Sequence, residues 1–279
     1  MFNKNKIAVN ALTVLAIALI GTGCQKMDRP ALGNYPKDTN PPGGPLKFFA
    51  AYENTSVDSI RANFGTETNT TFVQGITGMA ISGGANAYVV YPSANDFKKS
   101  TSFTVAFWIK KNGPNPAGGG TSFAFGLSTT KDIWTRMDMF LEFEDAGNPS
   151  SADLASAKFY LRDQWFEFTG AKRIANVLNN QWHHMAFSFD AATSTLTTYV
   201  DGVDLAPTLP AGFGKFNNDS GKPDFSQSAG IVVGGPGHYA VGKTPDSWMG
   251  NFGGAIDQFR LYGTALSATE VKDLFNAKK

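Results

Sequence analysis

The chain has 279 residues, of which 42% are hydrophobic and 13% aromatic, so it is long enough to bury one substantial core. Only 17% of the residues are charged, and the formal net charge is +1. This balance argues against a nucleic-acid partner, because phosphate binding requires clustered lysine and arginine side chains.

Residues 1–23 have the pattern of a secretory signal peptide. Lys4 and Lys6 supply its positive charge, and the apolar run that follows ends in small residues before Cys24. As a membrane-spanning helix the run is marginal, because about 20 apolar residues are needed and Asn10 interrupts it. Cys24 is the only cysteine, so no disulfide can form within the chain.

The segment LIGTGC, which ends at Cys24, resembles the lipobox of bacterial lipoproteins. The resemblance implies cleavage before Cys24 and attachment of lipid there, so that acyl chains anchor the mature protein to a membrane. An unmodified thiol is the alternative. The next residues, CQKMD, are similar to export signals of Bacteroidota surface lipoproteins, which implies an outer-membrane lipoprotein at the cell surface, or otherwise on the periplasmic face.

Residues 24–46 are rich in proline, glycine, asparagine and aspartate. Pro41, Pro42 and Pro45 restrict the backbone while the neighbouring glycines loosen it, which predicts a flexible, partly extended tether. The expected organisation is therefore a signal peptide, a tether and one folded domain over residues 47–279.

From Lys47 onward the sequence predicts short strands separated by turns. Apolar residues alternate along the segments SFTVAFWIK and HMAFSFD, as they do in strands with one buried face. Asp201 and Gly202 suit the positive φ angles of a tight hairpin turn. The same pattern predicts strands in AYVVYP, FAFGL, MDMFLEFED, KFYLRD, TLTTYVDGV, GIVVGG and GAIDQFRLYG.

One helix is predicted at the C-terminal end. Ser267 and Glu270 have the spacing of a capping box, and Val271, Leu274 and Phe275 form an apolar stripe at helical spacing. Because many short strands must hide two apolar faces, we expect an all-β fold with two antiparallel sheets packed as a sandwich and one short helix.

Four segments, in this order, resemble successive parts of the laminin G-like domain of the concanavalin A-like lectin/glucanase superfamily. They are GMAISGGANAYVVYPS, FTVAFWIK, QWHHMAFSFDAATSTLTTYVDGV and GAIDQFRLYGTALSATEVKDLF, and the resemblance extends from Lys47 to Phe275. It implies a jelly roll whose concave face or rim loops bind sugars. It also implies a structural calcium ion, with Asp257 in the last strand and Glu53 near the first strand as ligands.

The pair His183 and His184 suggests a metal site or a general base. The family resemblance instead implies that both histidines belong to a framework strand that Trp182 opens. A pair of histidines also lacks the additional ligands of a zinc site, so we expect a structural role for them.

A catalytic function, as a glycoside hydrolase or lyase, is the weakest of the alternatives. Related β-glucan hydrolases use paired carboxylates on one strand, and Glu142 and Glu144 share a strand face, but Asp145 follows at the wrong spacing. We therefore predict no catalytic residues and expect both glutamates on a solvated sheet face.

Carbohydrate binding is the predicted function, because sugar rings stack on tryptophan and tyrosine while their hydroxyl groups need polar partners. An adhesion or scaffold module that binds protein partners is the alternative. For each tryptophan, a place in the core is the competing interpretation. The candidate glycan-binding residues are Trp134, Arg136, Trp165, His238, Tyr239 and Trp248.

Overall fold

The computed structural model describes residues 43–114, 120–144 and 149–278. The expected signal peptide, Cys24 and most of the expected tether lie outside the described residues. The first strand begins at Leu46, at the end of the expected tether. No helix in the described part of the chain is long and apolar enough to cross a membrane.

The fold contains a ten-stranded sheet in which all neighbours are antiparallel. Its strands are β1 (Leu46–Ala50), β2 (Val57–Asp58), β3 (Asn63–Phe64), β5 (Thr71–Gln74), β6 (Met79–Ser82), β8 (Phe103–Lys110), β15 (His183–Asp190), β16 (Thr195–Val200), β17 (Val203–Asp204) and β20 (Ala255–Tyr262). Their order across the sheet is β17-β16-β15-β8-β20-β1-β2-β3, with β6 also beside β20 and β5 beside β6.

An eight-stranded sheet forms the second layer. Its strands are β4 (Thr66–Thr68), β7 (Tyr88–Tyr91), β9 (Thr121–Thr129), β10 (Met137–Phe143), β12 (Ala157–Leu161), β13 (Gln164–Phe168), β18 (Ser228–Val233) and β19 (Met249–Asn251). Their order across the sheet is β13-β12-β10-β9-β18-β7-β4, and β19 runs parallel to β9. A small separate pair joins β11 (Leu154–Ala155) to β14 (Ile174–Ala175).

The remaining regular elements are short. One α-helix, α1 (Ala268–Ala277), is present among the described residues. The 3₁₀ turns are Asn95–Lys99, Gly170–Lys172, Ala206–Thr208, Asp219–Gly221 and Gly237–Val241. The prediction of a two-sheet, all-β sandwich with one short C-terminal helix is confirmed.

The core between the sheets is built from the predicted alternating residues and is rich in phenylalanine. Phe159 and Phe187, from opposite sheets, stack with ring centroids 4.5 Å apart. Phe107 meets Phe125 edge to face at 5.6 Å. Such aromatic pairs stabilise a core by about 0.5–1.5 kcal/mol each beyond the area that they bury.

Helix α1 covers the outer face of the ten-stranded sheet. The predicted capping box is present, since Ser267 accepts from the Glu270 backbone and the Glu270 side chain accepts from the Ser267 backbone. Val271 packs on Ala106 and Ala186 of that face. The residues of β8 that alternate away from the core are therefore buried as well.

Trp182 is not the core tryptophan of the framework strand. It is only partly buried, whereas Trp108 of the neighbouring β8 is buried beneath α1. The Trp108 ring lies 5.5 Å from Phe275 and 5.2 Å from His184, measured between ring centroids. The sequence pattern identifies an apolar strand, but the covering helix decides which tryptophan is buried.

Strand β13 was not predicted from the sequence. The turn that joins it to β12 is Arg162-Asp163, with φ angles of 46° and 62°. These are the left-handed values of a tight hairpin turn, although neither residue is the glycine that usually marks one. The Asp163 carboxylate supports the turn by accepting a 2.6 Å hydrogen bond from the Tyr160 hydroxyl.

Candidate functional site

A row of aromatic side chains crosses the outer face of the eight-stranded sheet. Phe140, Tyr160 and Trp165 are register partners on the adjacent strands β10, β12 and β13, so they point to the same side. The Phe140 and Tyr160 rings stack 4.6 Å apart, and Trp165 meets the Tyr160 ring edge-on at 5.1 Å. We call these three residues the aromatic row.

Two tryptophans from separate loops lie over one end of this row. The ring centroid of Trp134 is 6.5 Å from that of Trp165 and 6.2 Å from that of Trp248. Trp134 is 59% exposed and Trp248 is 36% exposed, so indole surface faces solvent here. Trp134, Trp165 and Trp248 together form the tryptophan cluster.

Backbone and charge contacts hold the two loops. Arg136 adopts a left-handed φ of 49° and forms an ion pair with Asp132, which closes the loop that carries Trp134. The Trp248 carbonyl accepts a 3.2 Å hydrogen bond from the backbone N–H of Thr121, which is the first residue of β9. Both tryptophans are therefore tied to β9 or to the turn that follows it.

A second row of side chains runs beside the aromatic row. Glu142 pairs in register with Lys158, and Lys158 pairs with Glu167. On the other side, Glu142 pairs with Phe123, and Phe123 pairs with Asn251 of β19. We call Glu142, Lys158, Glu167 and Asn251 the polar row.

Glu142 is buried in this row, and the expectation that it lies on a solvated face is wrong. Its side chain is 2% exposed, and its Oε2 atom has no hydrogen-bond partner among the described residues. Burial raises the pKa of Glu142 to about 8; Lys158 opposes this shift, while the charges of Glu144 and Glu167 add to it. The group is thus largely protonated near neutral pH.

Lys158 is held by the other two glutamates. Its Nζ atom lies 2.9 Å from Glu144 Oε1 and 3.4 Å from Glu167 Oε1, and it lies over the Trp165 ring at 5.4 Å. Burial by itself lowers the pKa of Lys158, but the hydrogen bond and charge of Glu144, with the other carboxylates, raise it overall. The ammonium group therefore stays charged beside the tryptophan cluster.

His238 and Tyr239 cover the middle of the same face. The 3₁₀ turn Gly237–Val241 packs directly on β9, and a Cβ atom at Gly126 would collide with the Gly237 backbone. His238 is buried, and burial lowers its pKa. The Tyr239 ring stacks on Tyr88 at 3.8 Å. Both side chains pack against the sheet and lie outside the tryptophan cluster.

Buried ion pairs mark the far side of the aromatic row. Arg162 donates to Asp138 at 2.7 Å and to Asp219 at 2.8 Å, and Asp138 also accepts from the Ser228 hydroxyl at 2.7 Å. These contacts fix the loop that carries Asp219 to the sheet. They also pair the Arg162 guanidinium with two carboxylates of the protein itself.

The two adjacent histidines have structural contacts. His183 Nδ1 lies 2.8 Å from Asp201 Oδ2, and its Nε2 lies 2.9 Å from Asn179 Oδ1. His184 is buried between Trp108 and Phe275. Within the described ranges, no group of three or more histidine, cysteine, aspartate or glutamate side chains could hold a metal ion.

The predicted calcium ligands Asp257 and Glu53 both contact the loop before β6. Asp257 Oδ2 accepts from the Ile76 backbone at 2.8 Å, and Glu53 Oε2 accepts from the Met79 backbone at 2.9 Å. Asp257 Oδ1 is buried without a partner among the described residues. Burial raises the pKa of Asp257 to about 7, to which the charge of Glu53 contributes. Carboxylate oxygens are the hard donors that calcium prefers.

The structure brings together three of the six predicted glycan-binding residues. Trp134, Trp165 and Trp248 form the cluster, and Arg136 lies in the Trp134 loop. The sequence analysis did not identify Phe140 and Tyr160 of the aromatic row, or Lys158, Glu167 and Asn251 of the polar row, as parts of the site. The alternation in MDMFLEFED and KFYLRD places Phe140 with Glu142, and Lys158 with Tyr160, on common faces.

Comparison with known proteins agrees with this architecture. A laminin G-like family model, described as the concanavalin A-like lectin/glucanases superfamily, matches residues 82–272. Domain 4 of AbnA, a GH43 extracellular arabinanase from Geobacillus stearothermophilus solved with arabinotriose, has a TM-score of 0.54 at 20% identity. The alignment covers 82% of this chain and 98% of that domain. The chain matches no curated protein sequence.

Two larger proteins contain a similar fold. The binding domain of paraclostridial mosquitocidal protein 1 has a TM-score of 0.55 at 16% identity, covering 84% of this chain and 52% of that one. Trypanosoma rangeli sialidase, in complex with the inhibitor DANA, has a TM-score of 0.50 at 17% identity, covering 82% and 32%. The chain thus spans about half and about a third of their lengths. At these identities the likeness shows a shared fold, and the match over residues 82–272 shows that the chain belongs to the laminin G-like family of the concanavalin A-like lectin/glucanases superfamily.

Proposed function

We propose that this protein is a membrane-anchored, non-catalytic lipoprotein that binds a glycan at the tryptophan cluster. The observation that carries the proposal is the convergence of Trp134, Trp165 and Trp248 on one sheet face beside the polar row. Flat indole surface stacks on the C–H faces of sugar rings, while carboxyl and amide groups bond to the hydroxyls. The complex of the arabinanase domain with arabinotriose supports a glycan as the ligand class.

The polar row supports binding without hydrolysis. Glycosidases place two carboxyl groups about 5–10 Å apart on either side of the scissile bond. Here Lys158 bridges Glu144 and Glu167, and Glu142 is buried. Incubation with the glycans that bind should therefore release no reducing ends, and measurable release would contradict the non-catalytic part of the proposal.

A glycan array tests the binding site. The mature chain carrying Cys24→Ser, which keeps it soluble, is applied to neutral, acidic and amino oligosaccharides, with arabinotriose included. Trp134→Ala and Trp248→Ala should each weaken binding about tenfold or more, which corresponds to about 1.4 kcal/mol, because each removes one flat indole surface on which a sugar ring can stack. Trp182→Ala is the matched control, since Trp182 is partly buried outside the cluster.

Three outcomes separate the alternatives. Loss of binding in both cluster variants, with Trp182→Ala like the wild type, supports the glycan site. Equal binding by all four proteins would place the site elsewhere. An adhesion or scaffold function would be favoured if no glycan bound but a protein partner bound in a manner that Trp134→Ala abolished.

We also propose one structural calcium ion held by Asp257 and Glu53. When bound, the ion would supply a positive charge to two carboxylates that otherwise repel each other, and it would partner the buried Asp257 Oδ1. A ligand bound only by the native state stabilises it by about 2.7 kcal/mol at a hundredfold excess over Kd.

Calcium should therefore raise the melting temperature of the wild type, and chelator should reverse the effect. Asp257→Ala should abolish this calcium-dependent shift, whereas Asp273→Ala on the exposed side of α1 should leave it unchanged. Identical melting in millimolar calcium and in chelator, with no calcium in elemental analysis, would contradict the proposal.

A further inference from the structure

The surroundings of the tryptophan cluster are rich in carboxyl groups. Glu142, Glu144 and Glu167 lie around one ammonium group, that of Lys158. Glu167 is 47% exposed, so its charge acts at the surface that a ligand would approach. Because Glu142 is largely protonated, the two negative charges of Glu144 and Glu167 stand against the one positive charge of Lys158, which leaves an excess negative charge for an approaching anion to meet. Salt screens the exposed part of this charge.

The basic side chains at the site are already paired. Lys158 bridges two glutamates, and Arg136 forms an ion pair with Asp132. Arg162, on the far side of the aromatic row, binds both Asp138 and Asp219. Recognition of a carboxylate or sulfate usually uses a bidentate arginine, and these arginines are directed at the protein's own carboxylates.

The surroundings of Glu142 disfavour a negative charge on this face of the sheet. It is buried, one of its oxygens has no partner among the described residues, and its negative form is disfavoured by burial and by its acidic neighbours. A ligand carboxylate held beside Glu144 and Glu167 would be disfavoured by the same negative charges, whereas an uncharged hydroxyl group would not be.

We infer that the tryptophan cluster accepts sugar rings without acidic groups and discriminates against uronate and sulfated rings, with the carboxyl groups of the polar row as the cause. This inference rests on the proposed glycan binding and names its ligand class. Glu167 is the specificity-determining residue that is accessible to a ligand, and Glu144, which contacts the same ammonium group of Lys158, supplies a second negative charge.

The test compares matched pairs of ligands. Immobilised gluco-, galacto- and manno-oligosaccharides are each presented beside the same oligosaccharide oxidised to the carboxylate at C6. The mature Cys24→Ser chain should bind at least one neutral member, and its oxidised counterpart should bind at least tenfold more weakly. Raising the salt concentration should narrow this difference in affinity, because part of the repulsion of the oxidised ligand comes from the exposed charge of Glu167, which salt screens.

Variants assign the discrimination to the polar row. Glu167→Gln should narrow the difference in affinity between the neutral and oxidised ligands severalfold, because it removes one negative charge and leaves Lys158 with Glu144 as its remaining ion-pair partner of the two. Glu167→Asp should retain the discrimination. Glu67→Gln is the matched control, since it removes the same charge from the exposed strand β4 at the opposite edge of the sheet. The melting temperature of each variant confirms that it is folded.

Each further outcome has a defined meaning. Equal or tighter binding of the oxidised series by the wild type would overturn this inference while leaving the proposed glycan binding intact. An unchanged preference in folded Glu167→Gln would overturn the assignment to the polar row. Failure to bind any member of either series would overturn this inference, and the proposed function would fail as well only if the wider array, arabinotriose included, also showed no binding.

Discussion

At the scale of residues, neighbours in sequence have different roles because side chains alternate across a strand. His183 is bonded to Asp201 and Asn179, whereas His184 is buried between Trp108 and Phe275 with both ring nitrogens unpaired among the described residues. Burial lowers the pKa of His184 to about 4, and the charge of Arg260 adds to this effect. The native structure therefore requires neutral His184.

This requirement predicts a loss of stability in acid. Unfolded His184 binds a proton near pH 6.5, while the native residue binds one only near pH 4, so the free energy of unfolding falls as pH decreases across this window. The contribution of His184 to the loss is about 3 kcal/mol. His184→Phe fills the same space without titrating. Urea unfolding from about pH 7 to pH 4 should show a shallower loss in the variant, and parallel curves would contradict the assignment.

At the scale of elements, one hairpin turn also supports the helix. Asp201 and Gly202 have φ angles of 51° and 71°, the left-handed values predicted for the turn between β16 and β17. A Cβ atom at Gly202 would lie 2.7 Å from the Lys272 side chain and 3.2 Å from Phe275 Cβ, both in α1. Glycine is therefore required at this position by the backbone and by the packed helix together.

Gly202→Ala should consequently destabilise the protein more than backbone strain alone does. We expect about 2–4 kcal/mol, combining roughly 1–2 kcal/mol for a left-handed alanine with the added overpacking. Gly212→Ala is the control, because Gly212 has a φ of 78° and open space around its Cα. Urea unfolding should show a loss of roughly 1–2 kcal/mol for the control. Equal losses in the two variants would mean that α1 does not pack against the turn.

At the scale of the whole molecule, the proposed membrane anchor is Cys24, which lies outside the described residues. The apolar run that ends in LIGTGC predicts lipidation of this cysteine and an outer-membrane location. Radiolabelled palmitate should enter the wild type and not Cys24→Ser. The variant should remain an unlipidated precursor, and no mature form of it should associate with the membrane, because it lacks acyl chains to bury. Absence of label from the wild type would show that the anchor prediction is wrong.

The sequence by itself determined the features that depend on neighbours along the chain. The alternation in β8 and β15, the Asp201-Gly202 turn and the capping box of α1 each follow from a few adjacent residues, and each is confirmed. The number of short strands predicted the sandwich, the family resemblance added the laminin G-like jelly roll, and the match over residues 82–272 agrees with that family. Local patterns suffice here because periodicity, turn conformation and helix capping are themselves local.

Only the tertiary structure decided what covers each outer sheet face. Alternation shows that Trp108 and Glu142 point away from the core, but helix α1 buries Trp108, and Glu142 is buried among the side chains of another face. The tryptophan cluster likewise depends on strand register and on two loops far apart in the chain. Register between distant strands is set by the packing of the complete sandwich, so a single sequence could supply the three tryptophans as candidates but could not bring them together.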